Sequence, residues 1–137
     1  MPTEAEWEFA AKGGNKSEGY IYSGSNNVDF VGWYHKNSGD KLHQVGEKGK
    51  NELNIYDMTG NAEEWCWDWC ETNSSESVTD PYGAISGDYR VMRGGSSGSG
   101  YINNYNLCVT YRTSASPALM NKTYGGFRLV RSATKKK

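Results

Sequence analysis

The chain has 137 residues, a formal net charge of -1, a sequence pI near 6.1 and 36% hydrophobic residues. That near-neutral balance gives no global field to attract nucleic acid or an anionic membrane, and no segment approaches the roughly 20 apolar residues of a membrane span. The length fits one domain with one core, and five Trp, ten Tyr and three Phe beside seventeen Gly predict an aromatic core in a loop-rich α+β chain.

In chain order, the first element is a short amphipathic helix. Thr3 is placed as N-cap with Glu6 three residues on to complete a capping box, Trp7, Ala10 and Ala11 fall at i, i+3, i+4, and Gly13-Gly14 stops the helix after Lys12. A helix starting at residue 2 has no sequence before it to pack on, so an upstream half-domain or an oligomer partner is expected to cover it. Residues 15–50 are turn-rich, with aromatic islands at Tyr20, Tyr22, Trp33 and Tyr34 and no long regular element.

Ile55 to Met58 is a short apolar stretch, and Thr59-Gly60-Asn61 reads as a turn. The tryptophans that follow, Trp65, Trp67 and Trp69, alternate as a strand would, while Trp65 and Trp69 also suit a helix. Periodicity leaves both open. Tyr89 to Met92 and Phe127 to Arg131 read as short strands, and residues 132–137 as a basic, solvated tail. Cys66, Cys70 and Cys108 are odd in number, and His35 and His43 lack finger-like spacing from them, so the reading is free thiols rather than zinc.

Four blocks carry a resemblance: PTEAEWEFAAKGG at 2–14, NIYDMTGNAEEWCWDW at 54–69, YRVMRGGS at 89–96 and GFRLVR at 126–131. In this order and spacing they resemble the formylglycine-generating, sulfatase-modifying family, a branch of the C-type-lectin-like folds. The resemblance implies an α+β, loop-rich C-type-lectin-like domain over residues 1–131, lacking the N-terminal part with which the family domain normally begins. Enzymatic members oxidise a cysteine with two copper-binding thiolates just after the RGGS block. The corresponding positions here are Ser99 and Asn104, so no copper and no formylglycine oxidase activity are expected. The alternative carried by the resemblance is an oxygen-dependent enzyme of the same family.

The enzymes also bind calcium at the block matching GNAEEW, which would assign the cation to Asn61, Ala62 (through its carbonyl) and Glu64. Oxygen donors suit a hard cation. The same Asn-x-x-Glu spacing equally makes a metal-free helix N-cap. Arg93, Arg112 and Arg128, set among glycines and aromatics, are read as holding loops through carbonyl and carboxylate bonds.

Residues 97–124, between family blocks, are rich in Ser, Asn, Thr and Tyr. Such loops resemble antibody paratopes, although a solvated loop has the same composition. The placement also resembles the variable proteins of diversity-generating retroelements, whose C-terminal stretch is mutated at adenines. The expectation is a non-enzymatic domain that binds a protein or small-molecule ligand through Ser97, Ser99, Tyr101, Asn103, Asn104, Tyr105, Asn106 and Tyr124. Tyr111 and Arg112 are set apart as scaffold.

Overall fold

The computed structural model describes residues 1–71, 79, 81–118 and 125–131. Helix α1 (Glu4–Ala11) begins as its capping signal demands. The Thr3 amide donates to Glu6 Oε2 at 2.8 Å, and the Glu6 amide donates to Thr3 Oγ1 at 3.2 Å. Two one-turn helices follow, α2 (Val28–Val31) and α3 (His35–Ser38). Four strands, β1 (Glu63–Trp69), β2 (Arg90–Arg93), β3 (Arg112–Ala115) and β4 (Gly125–Gly126), form a sheet ordered β3-β2-β1-β4. The β1-β2 and β2-β3 pairs are antiparallel, and β4 joins β1 in parallel.

The three tryptophans lie on a strand, which decides between the two open readings. Their face is the surprise. Glu64, Cys66 and Asp68 are the buried side chains of β1, while Trp65 and Trp69 are half-buried and Trp67 is 55% exposed. The reason is α1, which lies across the inner face and brings polar donors that need acceptors. Trp7 Nε1 donates to Glu64 Oε2 at 2.7 Å, and the Glu4 amide, one of the unpaired N–H groups at a helix start, donates to Asp68 Oδ2 at 2.7 Å. Alternation then sends the tryptophans to the other side.

The aromatic core expected from composition is therefore corrected. One cluster packs Trp7 with Ala11, Met58, Cys66, Val91 and Val109, and a second joins Val28, Tyr34 and Leu107. Small aliphatic and sulfur side chains fill most of it, because all three tryptophans of β1 lie on its outward face. Burial pushes the Cys66 thiol up, as for a structural cysteine.

The strand expected at Phe127 to Arg131 is also corrected. Only Gly125 and Gly126 pair with β1, after which the chain leaves the ladder. Arg128 turns back instead, donating to both Glu64 oxygens (2.6 and 2.5 Å) and to the Tyr56 and Asp57 carbonyls (3.2 and 3.3 Å). The tail at 132–137 lies outside the described residues. No helix among the described residues is long and apolar enough to cross a membrane.

Arg93 ties the layers together. It is 1% exposed, reaches the carbonyls of Val109, Thr110 and Tyr111 at 3.0, 3.1 and 2.7 Å, and pairs with Glu8 and Glu4. Arg112 meets Glu4 at 2.9 Å and donates to the Glu71 carbonyl at 2.7 Å. All three arginines thus hold backbone and carboxylates together, as the sequence reading expects.

Candidate functional site

The segment after β2 is anchored almost residue by residue. Gly95 turns it at φ +68°, a left-handed value that disfavours side chains, and a Cβ there would stand 2.6 Å from the Asn106 carbonyl oxygen. The Ser97 amide donates to the Asn61 carbonyl at 2.7 Å, and the Ser97 carbonyl accepts from Ser38 Oγ at 2.7 Å. The His35 amide donates to the Ser99 carbonyl at 2.9 Å. Helix α3 therefore props the loop from beneath. Further on, a 3-10 turn at Tyr105–Leu107 drops Leu107, 0% exposed, against Val28 and Tyr34.

Between these anchors the large side chains stand out in solvent. Tyr101 is 77% exposed, Ile102 92% and Tyr105 67%, and Asn103 is exposed beside them. The Tyr101 ring leans on His35 with centroids 4.5 Å apart, and Tyr105 meets Tyr111 edge-on at 5.4 Å. His35 also lies 3.1 Å from Asp40 through Nδ1. These contacts give the two tyrosines a preferred direction at low entropy cost.

Other expected site residues do not share that surface. Ser97 is fully buried, which corrects its assignment to an exposed ligand contact: its backbone bridges Asn61 and Ser38 and leaves no room for a partner. Ser99 is half-buried, its hydroxyl accepting from the Ser96 amide at 2.9 Å. Asn104 is half-buried and bonds Tyr22, whose hydroxyl is pushed up by burial and by Cys108 against that bond. Asn106 is half-buried with its Oδ1 enclosed and without a hydrogen-bond partner. Tyr124 lies outside the described residues. Ile102 and His35 belong to the surface yet escaped the sequence reading. Ile102 has the weak signal of a branched apolar residue among polar ones, and His35 has none, because only the fold brings it under Tyr101.

Of the residues matching the calcium block, the side chains of Asn61 and Glu64 are engaged elsewhere. Asn61, at φ +60°, accepts from the His43 amide through Oδ1 at 2.9 Å and donates to the His43 carbonyl through Nδ2 at 3.2 Å. Both Glu64 oxygens face the Arg128 guanidinium, and one also takes the Trp7 indole. A cation that wants six to eight free oxygens does not fit beside a bidentate guanidinium. Among the described residues no group of three or more His, Cys, Asp or Glu side chains is arranged to hold a metal. The expected calcium site at Asn61, Ala62 and Glu64 does not fit this donor set. The helix-cap alternative fails as well, since Glu63 and Glu64 open a strand.

Ser99 and Asn104 carry no sulfur, and burial raises the thiol of the nearby Cys108, whose Sγ points to the Asn104 carbonyl at 3.8 Å.

A capped helix laid over a short curled sheet, with long loops pinned by arginines, defines an α+β domain of the C-type-lectin-like class. The chain belongs to the sulfatase-modifying factor enzyme 1-like domain family, which it matches over residues 1–133. The solved Treponema denticola variable protein 1 is 40% identical, with a TM-score of 0.76 over 87% of this chain and 42% of that one. The formylglycine-generating enzyme of Streptomyces coelicolor is 34% identical over 84% of this chain and 40% of its own length. The chaperone protein LppX of Paenibacillus barcinonensis is 48% identical over 50% of this chain and 31% of its own. The chain thus spans 31–42% of the length of these three relatives.

Proposed function

We propose that this chain is a non-catalytic binding domain whose contact surface is formed by Tyr101, Ile102, Asn103 and Tyr105, steadied by His35 and Tyr111. The observation that carries the reading is the contrast within one segment. Its backbone is held at Ser97, Ser99 and Leu107, while three large apolar or aromatic side chains between those anchors are 67–92% exposed. Exposed aromatic residues on a rigid frame are what recognition surfaces use, because truncating such anchors removes most interface energy. Similarity to a variable protein on the same fold supports a segment in which side chains change while the frame stays.

The test has two arms. A displayed library randomised at Tyr101, Ile102, Asn103 and Tyr105 should stay folded in most members and yield binders to an unrelated purified protein such as lysozyme. The DNA flanking the reading frame should hold a near-copy of the 97–124 coding stretch that differs at adenines. Widespread unfolding of the library would mean these residues are framework, and the reading would fall.

A further inference from the structure

A closed ring of hydrogen bonds lies under the start of the segment after β2 and takes in a third stretch of chain, residues 41–47. The Ser97 amide donates to the Asn61 carbonyl, and the Asn61 side chain meets both backbone groups of His43, accepting from its amide at 2.9 Å and donating to its carbonyl at 3.2 Å. The His43 ring closes the circuit. Its Nε2 lies 2.8 Å from the Ser38 carbonyl, and Ser38 Oγ donates to the Ser97 carbonyl at 2.7 Å. A carbonyl only accepts, so the proton of the neutral ring sits on Nε2, and Nδ1 faces Glu47 Oε2 at 3.9 Å. The imidazole is held flat on Trp33, with ring centroids 3.8 Å apart and planes 10° from parallel. Ser38, Asn61 and Ser97 are all buried, so water competes little for these bonds.

We propose that His43 is a positioning residue of the Tyr101 surface, acting through Ser38 and Asn61 to set the backbone from which Tyr101 and Ile102 project. The inference rests on the reading of Tyr101, Ile102, Asn103 and Tyr105 as the contact surface and adds the side chain that aims it. Helix α3 is the lever. A helix leaves its last carbonyls without partners of their own, and the His43 Nε2–H satisfies that of Ser38. The same short helix carries both early anchors of the segment, Ser97 through the Ser38 hydroxyl and Ser99 through the His35 amide. A shift of α3 therefore moves both anchors together. Asn61 braces the other side, its carbonyl on Ser97 and both side-chain groups on His43. The position calls for a flat ring to lie on Trp33 and a donor at the tip of that ring, and histidine supplies both. Phenylalanine keeps the ring alone, and glutamine keeps the donor alone.

The experiment compares His43→Phe, His43→Gln and Ser38→Ala by 15N NMR of the chain, and by affinity for lysozyme after each change is built into a lysozyme-binding member of the library. His43→Phe should displace the Ser97 and Ser99 amide resonances and weaken lysozyme binding by up to about tenfold, the factor one hydrogen bond can carry. His43→Gln should return those resonances and the affinity toward the parent, although the stack on Trp33 is lost. Ser38→Ala cuts the bond to Ser97 and leaves the Ser38 carbonyl to His43, so it should displace the same amides. In the parent at pH 8 the imidazole 15N shifts should place the proton on Nε2. A proton on Nδ1, Phe and Gln variants that behave alike, or an affinity that simply follows melting temperature would each overturn the proposal. So would Ser97 and Ser99 amides that His43→Phe leaves in place. If His43→Phe does not fold, Ser38→Ala and the imidazole shifts decide. A library without any lysozyme binder would sink the Tyr101 reading, while the amide and imidazole shifts would still decide the place of His43 in the frame.

Discussion

Trp7 and Glu64 are 57 residues apart in sequence and share a buried hydrogen bond of 2.7 Å from indole to carboxylate. That bond orients the helix on the sheet, and Arg128 completes the carboxylate's coordination from the far end of the chain. Removing the carboxylate strands two donors at once. Glu64→Ala is expected to cost about 3–5 kcal/mol, the range for breaking a buried charged pair. Trp7→Phe, which keeps most of the packing and leaves Arg128 in place, should cost about 1.5–3 kcal/mol, as for a hydrogen bond to a charged group. Urea unfolding of both variants checks the order, and a Glu64→Ala protein as stable as the parent would contradict it.

The same engagement of Asn61 and Glu64 makes a statement about calcium. A ligand binding only the folded state at about 100 times its Kd would raise stability by about 2.7 kcal/mol. Because Arg128 already occupies the Glu64 carboxylate, the melting temperature is expected to be the same in millimolar calcium and in chelator. A calcium-dependent rise that Asn61→Ala removes would restore the family's metal site here.

Which parts of this were legible beforehand depends on how local the determining contacts are. The capping box of α1 lies within four residues, and it forms as read. The tryptophan alternation is also local, but period two says only that Trp65, Trp67 and Trp69 share a face, not which face. That choice was made by Trp7 and the Glu4 amide, far upstream, which required Glu64 and Asp68 inside. Phe127 to Arg131 has strand composition, yet the Arg128 contacts with Glu64 pull it off the sheet. His35 came to the Tyr101 surface through one backbone bond to Ser99, which no spacing in the sequence reports.

Glu4 and Asp68 give a pH prediction. Burial raises both carboxyls; Arg112 and then Arg93 pull Glu4 partly back down, while at Asp68 the backbone hydrogen bonds from Glu4 and from its own amide, and then Arg112, pull down and Glu6 opposes them. The folded state therefore holds these protons more tightly than the unfolded chain does. Their contribution is fully present below the ordinary carboxylate range and is lost as pH rises through the raised values. Asp68→Asn keeps an oxygen for the Glu4 amide but cannot ionise. Its stability relative to the parent should rise as pH climbs through that range and then level off. A difference that is flat across acid pH, or that runs the other way, would show that Asp68 is not held up by burial.

The last prediction separates frame from surface within one segment. Leu107 is fully enclosed by Val28 and Tyr34, so Leu107→Ala leaves a cavity and should cost about 2–5 kcal/mol. Tyr101, Ile102 and Tyr105 stand only a few residues away but largely in solvent, and alanine at each should change stability by no more than about 0.5 kcal/mol. Tyr105→Ala is the sharpest of the three, because it also removes the edge contact with Tyr111 and so measures whether that contact holds the loop or only aims the side chain. His35→Ala extends the comparison. Its backbone bond to Ser99 survives the substitution, so stability should hold while Tyr101 loses its ring support. Selected binders that retain Tyr101, rebuilt with His35→Ala, should then lose affinity without losing melting temperature. If His35→Ala lowers both together, the imidazole is part of the frame, and the division drawn here between anchored backbone and free side chains is in the wrong place.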